Sequence, residues 1–576
     1  MTKTTLRPGT MLLCAALLAL CAPRARAFEQ AAAPQPIELS EGTPGFPAHA
    51  TVAPLSWNPR AKRHVAKLDL KQRGAARSTS ITNTPMGPLA DTYVQDGTGP
   101  VVVVDPLNPM DVFVAFNEGW DFDPDIPLST SWQGGASWTS VQFPPGTGIY
   151  AGYPHTPWAQ PGNDDQEYYA SLVREDLYPT DNTHTIITRS GDSGANFGVF
   201  YEIPNDVRQD RSMFDIDRTS GRGGTTGAHD GKLYVCYDDW GDGGPAYASS
   251  WLKVLSPEGG LLVATPLSTV AQFKGSQFQP VAGTLDGQLL LASMSLTNGG
   301  ATVNATFFEA VNGGATVSGP RATLSWAPAG QRLGTSNLRG VNGFKIDEHG
   351  YLDIDRSNGP RRSYLYFITN RNPNPTNAAL DQGDLWLSVS VDRGASWTSK
   401  KIPTDVNVTQ YFPMLDVDDQ GWIHVAYYEN ASGFPNDGVL TADHARLRYT
   451  VSRDGGVSWT PAAFVNGGNS ALSFEDPPLD WGAYDYDVLG DYQRLQAAGT
   501  GDNTVAFVSW TGYDMNRTDD GVGTKKQRVY LTRLVTPPAP GPSAGALSLL
   551  AAGLLAAAAA TLARRLRTQP APVTND

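Results

Sequence analysis

One eight-residue pattern, S-x-D-x-G-x-x-W, stands in full at Ser390-Val391-Asp392-Arg393-Gly394-Ala395-Ser396-Trp397 and again at Ser452-Arg453-Asp454-Gly455-Gly456-Val457-Ser458-Trp459. The octet beginning at Ser190 matches with Phe197 in the last place, and the one beginning at Ser131 has Gln133 for the Asp. Eroded copies follow at Ser256-Pro257-Glu258-Gly259-Gly260 and from Ala310 to Val317, so the starts lie 54 to 80 residues apart. Physically each octet reads as a tight hairpin turn. Asp392 accepts bonds from nearby backbone N–H groups, Gly394 takes a positive φ, and Trp397 closes an apolar lid. Nothing in the octet demands chemistry. A supersecondary unit repeated at this interval constrains the whole chain to stack copies of itself.

The residues before each octet supply the rest of the unit. Runs rich in β-branched and aromatic residues fall at 112–116, 233–237, 289–292, 364–368 and 422–427, and further runs at 185–190, 385–390 and 447–452 end on the Ser of an octet. Upstream runs at 101–105 and 414–418 add a first strand, and the stretch after the Trp adds a fourth. A unit at 504–510 and 528–534 has no octet behind it. Four antiparallel strands repeated around a circle predict an all-β fold, a β-propeller over residues 89–535. Seven blades are expected, six if the weak module around Tyr168 is an insertion, with the last blade closed by an N-terminal strand. Sixty Gly and 43 Pro suit such a turn-rich chain.

The octets resemble Asp boxes, or BNR repeats, and with their flanking modules residues 90–535 are similar to the sialidase superfamily of propellers. The resemblance is strong as a marker of fold. It is weak as a marker of activity, because Asp boxes also occur in secreted propellers of unrelated function.

The chain ends carry addresses. Residues 1–27 read as a secretory signal, with Lys3 and Arg7, an apolar run over 11–22 and Ala25-Arg26-Ala27 ahead of Phe28; lipoprotein processing at Cys21 is the weaker alternative. Cleavage would leave Cys236 as the single cysteine, so no intramolecular disulfide forms, and Cys236 within the apolar run 233–237 reads as a buried strand residue. Residues 28–88 read as a Pro- and Ala-rich linker or pro-segment, with a strand at 65–70. After a Pro-rich linker at 536–543, the apolar run 544–563 would span roughly 30 Å as a helix and is followed by Arg564, Arg565 and Arg567, ahead of a short tail at 568–576. This end resembles the PEP-CTERM class of bacterial sorting tails, with Gly541 where that class has Glu. A permanent single-pass anchor is the alternative. A secreted, surface-anchored chain is expected. The net charge of −14 argues against a nucleic-acid partner, and a monomer is expected.

Strand alternation puts the octet turns and the turns between strands one and two on one face. The loops between strands two and three and between blades then lie on the other, which is where a site is expected. Those loops hold Glu118, Trp120, Asp238, Asp239, Trp240, Arg371, Glu429 and Asp514, and the inter-blade entries add Arg211, Asp491, Tyr492 and Arg494. Carboxylates, arginines and aromatics converging from several blades suit an extracellular glycan or protein ligand. Sialidase chemistry, as the resemblance implies it, asks for an arginine triad, a tyrosine nucleophile and an acid. Loop position nominates Arg211, Arg371 and Arg494, Tyr492 and Asp238 for those roles, with Glu118, Trp120, Asp239, Trp240, Glu429, Asp491 and Asp514 as further ligand contacts. The family's Arg-Ile-Pro motif is missing, since Glu202-Ile203-Pro204 has the wrong first residue and follows the second octet. The expectation is therefore a binding propeller without sialidase chemistry; an active exo-α-sialidase or related exo-glycosidase is the runner-up, and a structural surface or matrix protein the third reading. No cofactor and no metal site are expected. Calcium is the alternative, because Asp121-Phe122-Asp123-Pro124-Asp125 and Asp416-Val417-Asp418-Asp419-Gln420-Gly421 space oxygen ligands as calcium loops do, without the later Glu of an EF-hand. The histidines lack the spacing of a zinc site. The acidic, aromatic stretch 474–492 reads either as a rim loop or as part of the ligand face.

Overall fold

A computed structural model describes residues 82–85, 98–105, 108–117, 128–134, 138–141, 158–161, 168–175, 183–203, 209–217, 227–239, 249–267, 277–297, 302–327, 350–374, 383–404, 408–430, 445–465, 493–499, 504–514 and 526–535. These residues form seven antiparallel sheets, which we number as blades 1 to 7 in chain order. Their innermost strands are Thr98–Val104, Trp158–Pro161, Gln209–Ile216, Gln277–Ala282, Gly350–Ile354, Gln410–Val417 and Leu495–Ala498. Each inner strand touches the next, and the seventh returns to the first. The chain is a seven-bladed β-propeller.

The module around Tyr168 is a true blade: Trp158–Pro161, Tyr168–Glu175, Thr183–Ser190 and Gly198–Glu202 pair in sequence. Blade 4 has its outermost strand in two pieces, Thr316–Val317 and Ala322–Trp326, both paired with Thr302–Val311. Blade 7 is completed from the other end of the sequence, where Thr82–Pro85 pairs with Lys526–Val535. The closing strand therefore starts upstream of the expected propeller boundary at residue 89. The strand expected at 65–70 lies outside the described residues, as do both terminal addresses. No helix among the described residues is long and apolar enough to cross a membrane.

Each sheet is apolar on both faces because it is packed between two neighbours. Val101 to Val104 are fully buried, and along Gln410–Val417 every residue is buried. Separate apolar layers fill the gaps between blades 3 and 4, 4 and 5, 6 and 7, and 7 and 1. Burial of this extent stabilises by about 25 cal/mol per Å² of apolar surface, which lets the ring hold without a covalent crosslink. Cys236 is one of these fully buried strand residues.

The octets fold as expected from their residue types. In the blade 5 octet, Ser390 donates its hydroxyl to Asp392 at 2.8 Å and accepts the Gly394 N–H at 2.8 Å. Asp392 also accepts the Ser396 N–H at 2.8 Å and its hydroxyl at 2.6 Å. Gly394 has φ +80°, and Trp397 donates its indole N–H to the Gly394 carbonyl. Ser190, Asp192 and Asn196 repeat the bonds in blade 2, as do Ser452, Asp454 and Ser458 in blade 6. The Ser396 hydroxyl bond, then its backbone N–H, holds Asp392 well below the usual carboxylate range, at about 2. Octets also grip the preceding blade. Thr130 donates to the Gly194 carbonyl, Arg321 to that of Asp392 and Arg361 to that of Arg453.

Candidate functional site

The clearest cluster of perturbed charge lies in the bore of the ring. Three inner strands end in the same way: Asp215-Ile216 in blade 3, Asp353-Ile354 in blade 5 and Asp416-Val417 in blade 6. Period-two alternation sends Ile216, Ile354 and Val417 into the core between blades, so each preceding Asp turns to the axial cavity. A second aspartate follows each pair: Asp355 and Asp418 cap the turn between strands one and two of their own blades, while Asp217 accepts the Gly287 N–H from the corresponding turn of the next blade at 3.0 Å. Asp418, for instance, accepts the Gln420 and Trp422 N–H groups at 2.9 Å each.

The first aspartates join neighbouring blades. Asp215 accepts the Ala282 N–H at 2.8 Å, Asp353 that of Val417 at 2.7 Å and Asp416 that of Ala497 at 2.9 Å. Where the aspartate is missing, glutamine does the same work: Gln279 bonds Leu352 in both directions, and Gln496 accepts the Val104 N–H. Five of the seven blade junctions thus carry an inner-strand side chain bonded to the next blade's backbone. Arg356 then spans the bore, donating to Asp215 at 2.6 Å, to Asp353 at 3.0 Å and to the Ala282 carbonyl.

The cavity between these groups is lined by Asp215, Asp353, Asp416, Asp418 and Asp419 against Arg356 and Arg494, with Tyr351 and Gln279 beside them. Its water-accessible volume is about 30 Å³, room for about two water molecules. Burial, reinforced by the Asp353 carboxylate, pushes Asp416 up to about 7, against the opposing pull of Arg494 and the Ala497 N–H. Burial lowers Arg494, with Asp416, Asp353 and Asp215 acting the other way. Arg356 is also buried, but Asp215 and Asp353 outweigh that and hold its pKa above the ordinary arginine value. The result is a carboxyl that keeps its proton near neutrality beside two arginines. A perturbed carboxyl in a cleft is a marker of function, and it can hold or release a proton for whatever reaches the cavity.

Of the residues nominated by loop position, Arg494 enters this cavity. Arg371 does not: it lies between the Trp326 and Trp386 rings, 5.1 Å from each, and donates to Thr369, Ser388 and Ser399 on its own blade. Burial lowers its pKa to about 10. An arginine clamp that includes Arg371 is not assembled, because an indole of its own blade, one of the preceding blade and three hydroxyls hold that guanidinium. Glu429 is buried and accepts the Arg448 Nε–H at 2.6 Å, and the Arg448 guanidinium stacks on Phe464. Arg211 sits where the pairing of blade 3 slips between Asp210 and Met213. Asp238 and Asp239 end the second strand opposite Asp210 and Gln209, and Asp514 closes the long hairpin opposite Lys526. Glu118, Trp120, Trp240, Asp491 and Tyr492 lie outside the described residues, as does the stretch 474–492.

The loop 416–421 spends its carboxylates on protein. Asp416 bonds the Ala497 N–H, while Asp418 bonds its own turn and lies 3.1 Å from His424 Nε2. Its partner at 121–125 lies outside the described residues. Among the described residues no three His, Cys, Asp or Glu side chains are placed to hold a metal ion together.

Sequence reasoning by loop position missed Asp215, Asp353 and Arg356. The signal was present as a second internal repeat, Asp-Ile-Asp-Arg at 215–218 and 353–356 and Asp-Val-Asp at 416–418.

No protein-family profile matches the sequence, and no curated protein matches it either. Solved structures similar to the chain include a protein of unknown function from Dyadobacter fermentans, at 9% identity and a TM-score of 0.39, covering 79% of this chain and 99% of that one. A GH93 α-L-arabinofuranosidase of Fusarium graminearum matches at 9% identity and a TM-score of 0.38, over 64% of this chain and 97% of that one. A Hadza microbial sialidase matches at 10% identity and a TM-score of 0.35, over 74% of each chain.

Proposed function

We propose that this chain is an exported, membrane-anchored propeller that binds a glycan or protein ligand on its loop-bearing face and carries out no sialidase chemistry. The supporting observation is the state of its arginines. Arg371 is stacked between two indoles, and Arg494 faces three aspartates that already balance it. The bore cavity holds more carboxylates than guanidiniums and has room for about two water molecules, too little for a sugar, so it offers no arginine clamp to a sialic acid carboxylate. The signal-like residues 1–27 and the apolar run 544–563 support export and anchoring.

The runner-up is an exo-glycosidase, and Asp416 is the observation in its favour, because a carboxyl titrating near 7 is what a general acid requires. The two readings separate with the purified full chain on a glycan array and in a fluorogenic glycoside assay that includes a sialoside. Array binding with no turnover is the expected result. Turnover abolished by Asp416→Asn or Tyr492→Phe would establish the enzyme instead.

A further inference from the structure

The face that carries the octets has a second property, set by where the chain leaves the fold. In blade 7 the pairs Ala498↔Val505 and Val505↔Val535 put Val535 level with the turn between strands one and two. The last strand therefore delivers the chain to the octet face. Only residues 536–543 separate it from the apolar run beginning at Ala544, and even as an extended polyproline-type chain they reach about 25 Å.

Turn tips on that same face expose large apolar side chains. Trp132, Val311 and Val391 occupy the second position of their octets, Val457 the sixth, and Leu285 a turn between strands one and two. Val457 is 71% exposed, Val391 63%, Leu285 51%, Val311 45% and Trp132 42%. Leu285, Val311, Val391 and Val457 come from the adjacent blades 4, 5 and 6, and Trp132 from blade 1. Arg393 stands beside Val391 with 55% of its side chain exposed. Valine, leucine, tryptophan and arginine at turn tips match the depth preferences of a headgroup layer, where apolar side chains reach the acyl boundary and Trp and Arg stay at the polar level. The octet polar groups add little cost to such an approach, because Ser390, Asp392 and Ser396 satisfy one another.

We infer that the octet face lies against the lipid headgroups of the anchoring membrane, with the loop-bearing face turned outward to the ligand. The inference rests on the proposed anchor. A tether of this length holds the face near the bilayer, and the exposed tips supply the contact.

Single cysteines at Val391, Val457 and Thr302 test it, the last paired with Thr297 where strands two and three of blade 4 meet the loop between them, on the opposite face. Cys236 is buried and stays unlabelled. Each variant is prepared as residues 28–576, without Cys14 and Cys21, carries an environment-sensitive fluorophore and is reconstituted into phosphatidylcholine vesicles, with and without brominated acyl chains. The labels at positions 391 and 457 are expected to shift to the blue and lose emission to the brominated lipid, while the label at position 302 does neither. Flotation with the vesicles but no quenching at positions 391 and 457 would overturn the membrane-facing orientation and leave the anchor standing. Failure to float would overturn the anchor, and the orientation with it. Protection of the two sites that depends on protein concentration, without lipid quenching, would assign the face to a second copy and also overturn the inference.

Discussion

Two sets of aspartates recur around this ring, and their environments push them in opposite directions. Asp392 in the octet turn is solvent-exposed, accepts three bonds from donors within a few residues, and titrates at about 2. Asp416 in the bore is fully enclosed, has the Asp353 carboxylate nearby, and titrates at about 7. Local backbone donors stabilise the charge in one place, whereas desolvation and a like charge oppose it in the other. The octet is a fastener complete within eight residues. The bore is a fastener only because five blades meet there.

Breaking the bore should cost most. Arg356→Met leaves Asp215 and Asp353 without their shared guanidinium and is expected to lower unfolding stability by about 3–5 kcal/mol in chemical denaturation. A loss below about 1 kcal/mol would mean that the backbone donors of Ala282 and Val417 suffice.

The second test uses pH. Because the folded-state pKa of Asp416 is raised, the folded protein holds its proton longer than the unfolded chain, and stability falls as pH rises from about 4 to about 7. Asp416→Asn removes that titration while keeping an acceptor for Ala497. Its stability relative to the natural protein should therefore grow across this window, by on the order of 1–3 kcal/mol at pH 8. A constant difference from pH 4 to 8 would refute the assignment.

Asp392→Ala should cost less, about 0.5–2 kcal/mol by analogy with other side-chain caps of backbone N–H groups. The sign is opposite to that of Asp416. The folded pKa is depressed, so the contribution is present above about pH 4 and fades as pH falls towards 2. An acid-unfolding profile of the variant unchanged against the natural protein would sink this account. Smallest of all, Val391→Ser at an exposed octet tip should stay within about 0.5 kcal/mol, separating fold from surface role.

How much was legible beforehand follows from the same contrast. Octet spacing counted the blades, and the runs at 112–116, 233–237 and 504–510 fell within strands Val112–Asn117, Leu233–Asp239 and Val505–Asp514 almost to the residue. These signals are local, being period-two patterning and turn chemistry. Arg371 shows where such reading stops. It ends its strand as expected, but Trp326 from the neighbouring blade decides where its guanidinium goes.

By itself the sequence determined the ring: a repeated strand-and-turn unit that cannot bury both faces alone must stack until it closes. It also determined the octet, since the bonds to the Asp392 carboxylate come from its own turn. Only the tertiary structure decided that Asp215, Asp353, Asp416, Arg356 and Arg494 share one cavity. Closure brings together residues as much as 279 positions apart, and the proton affinity of Asp416 arises from that enclosure.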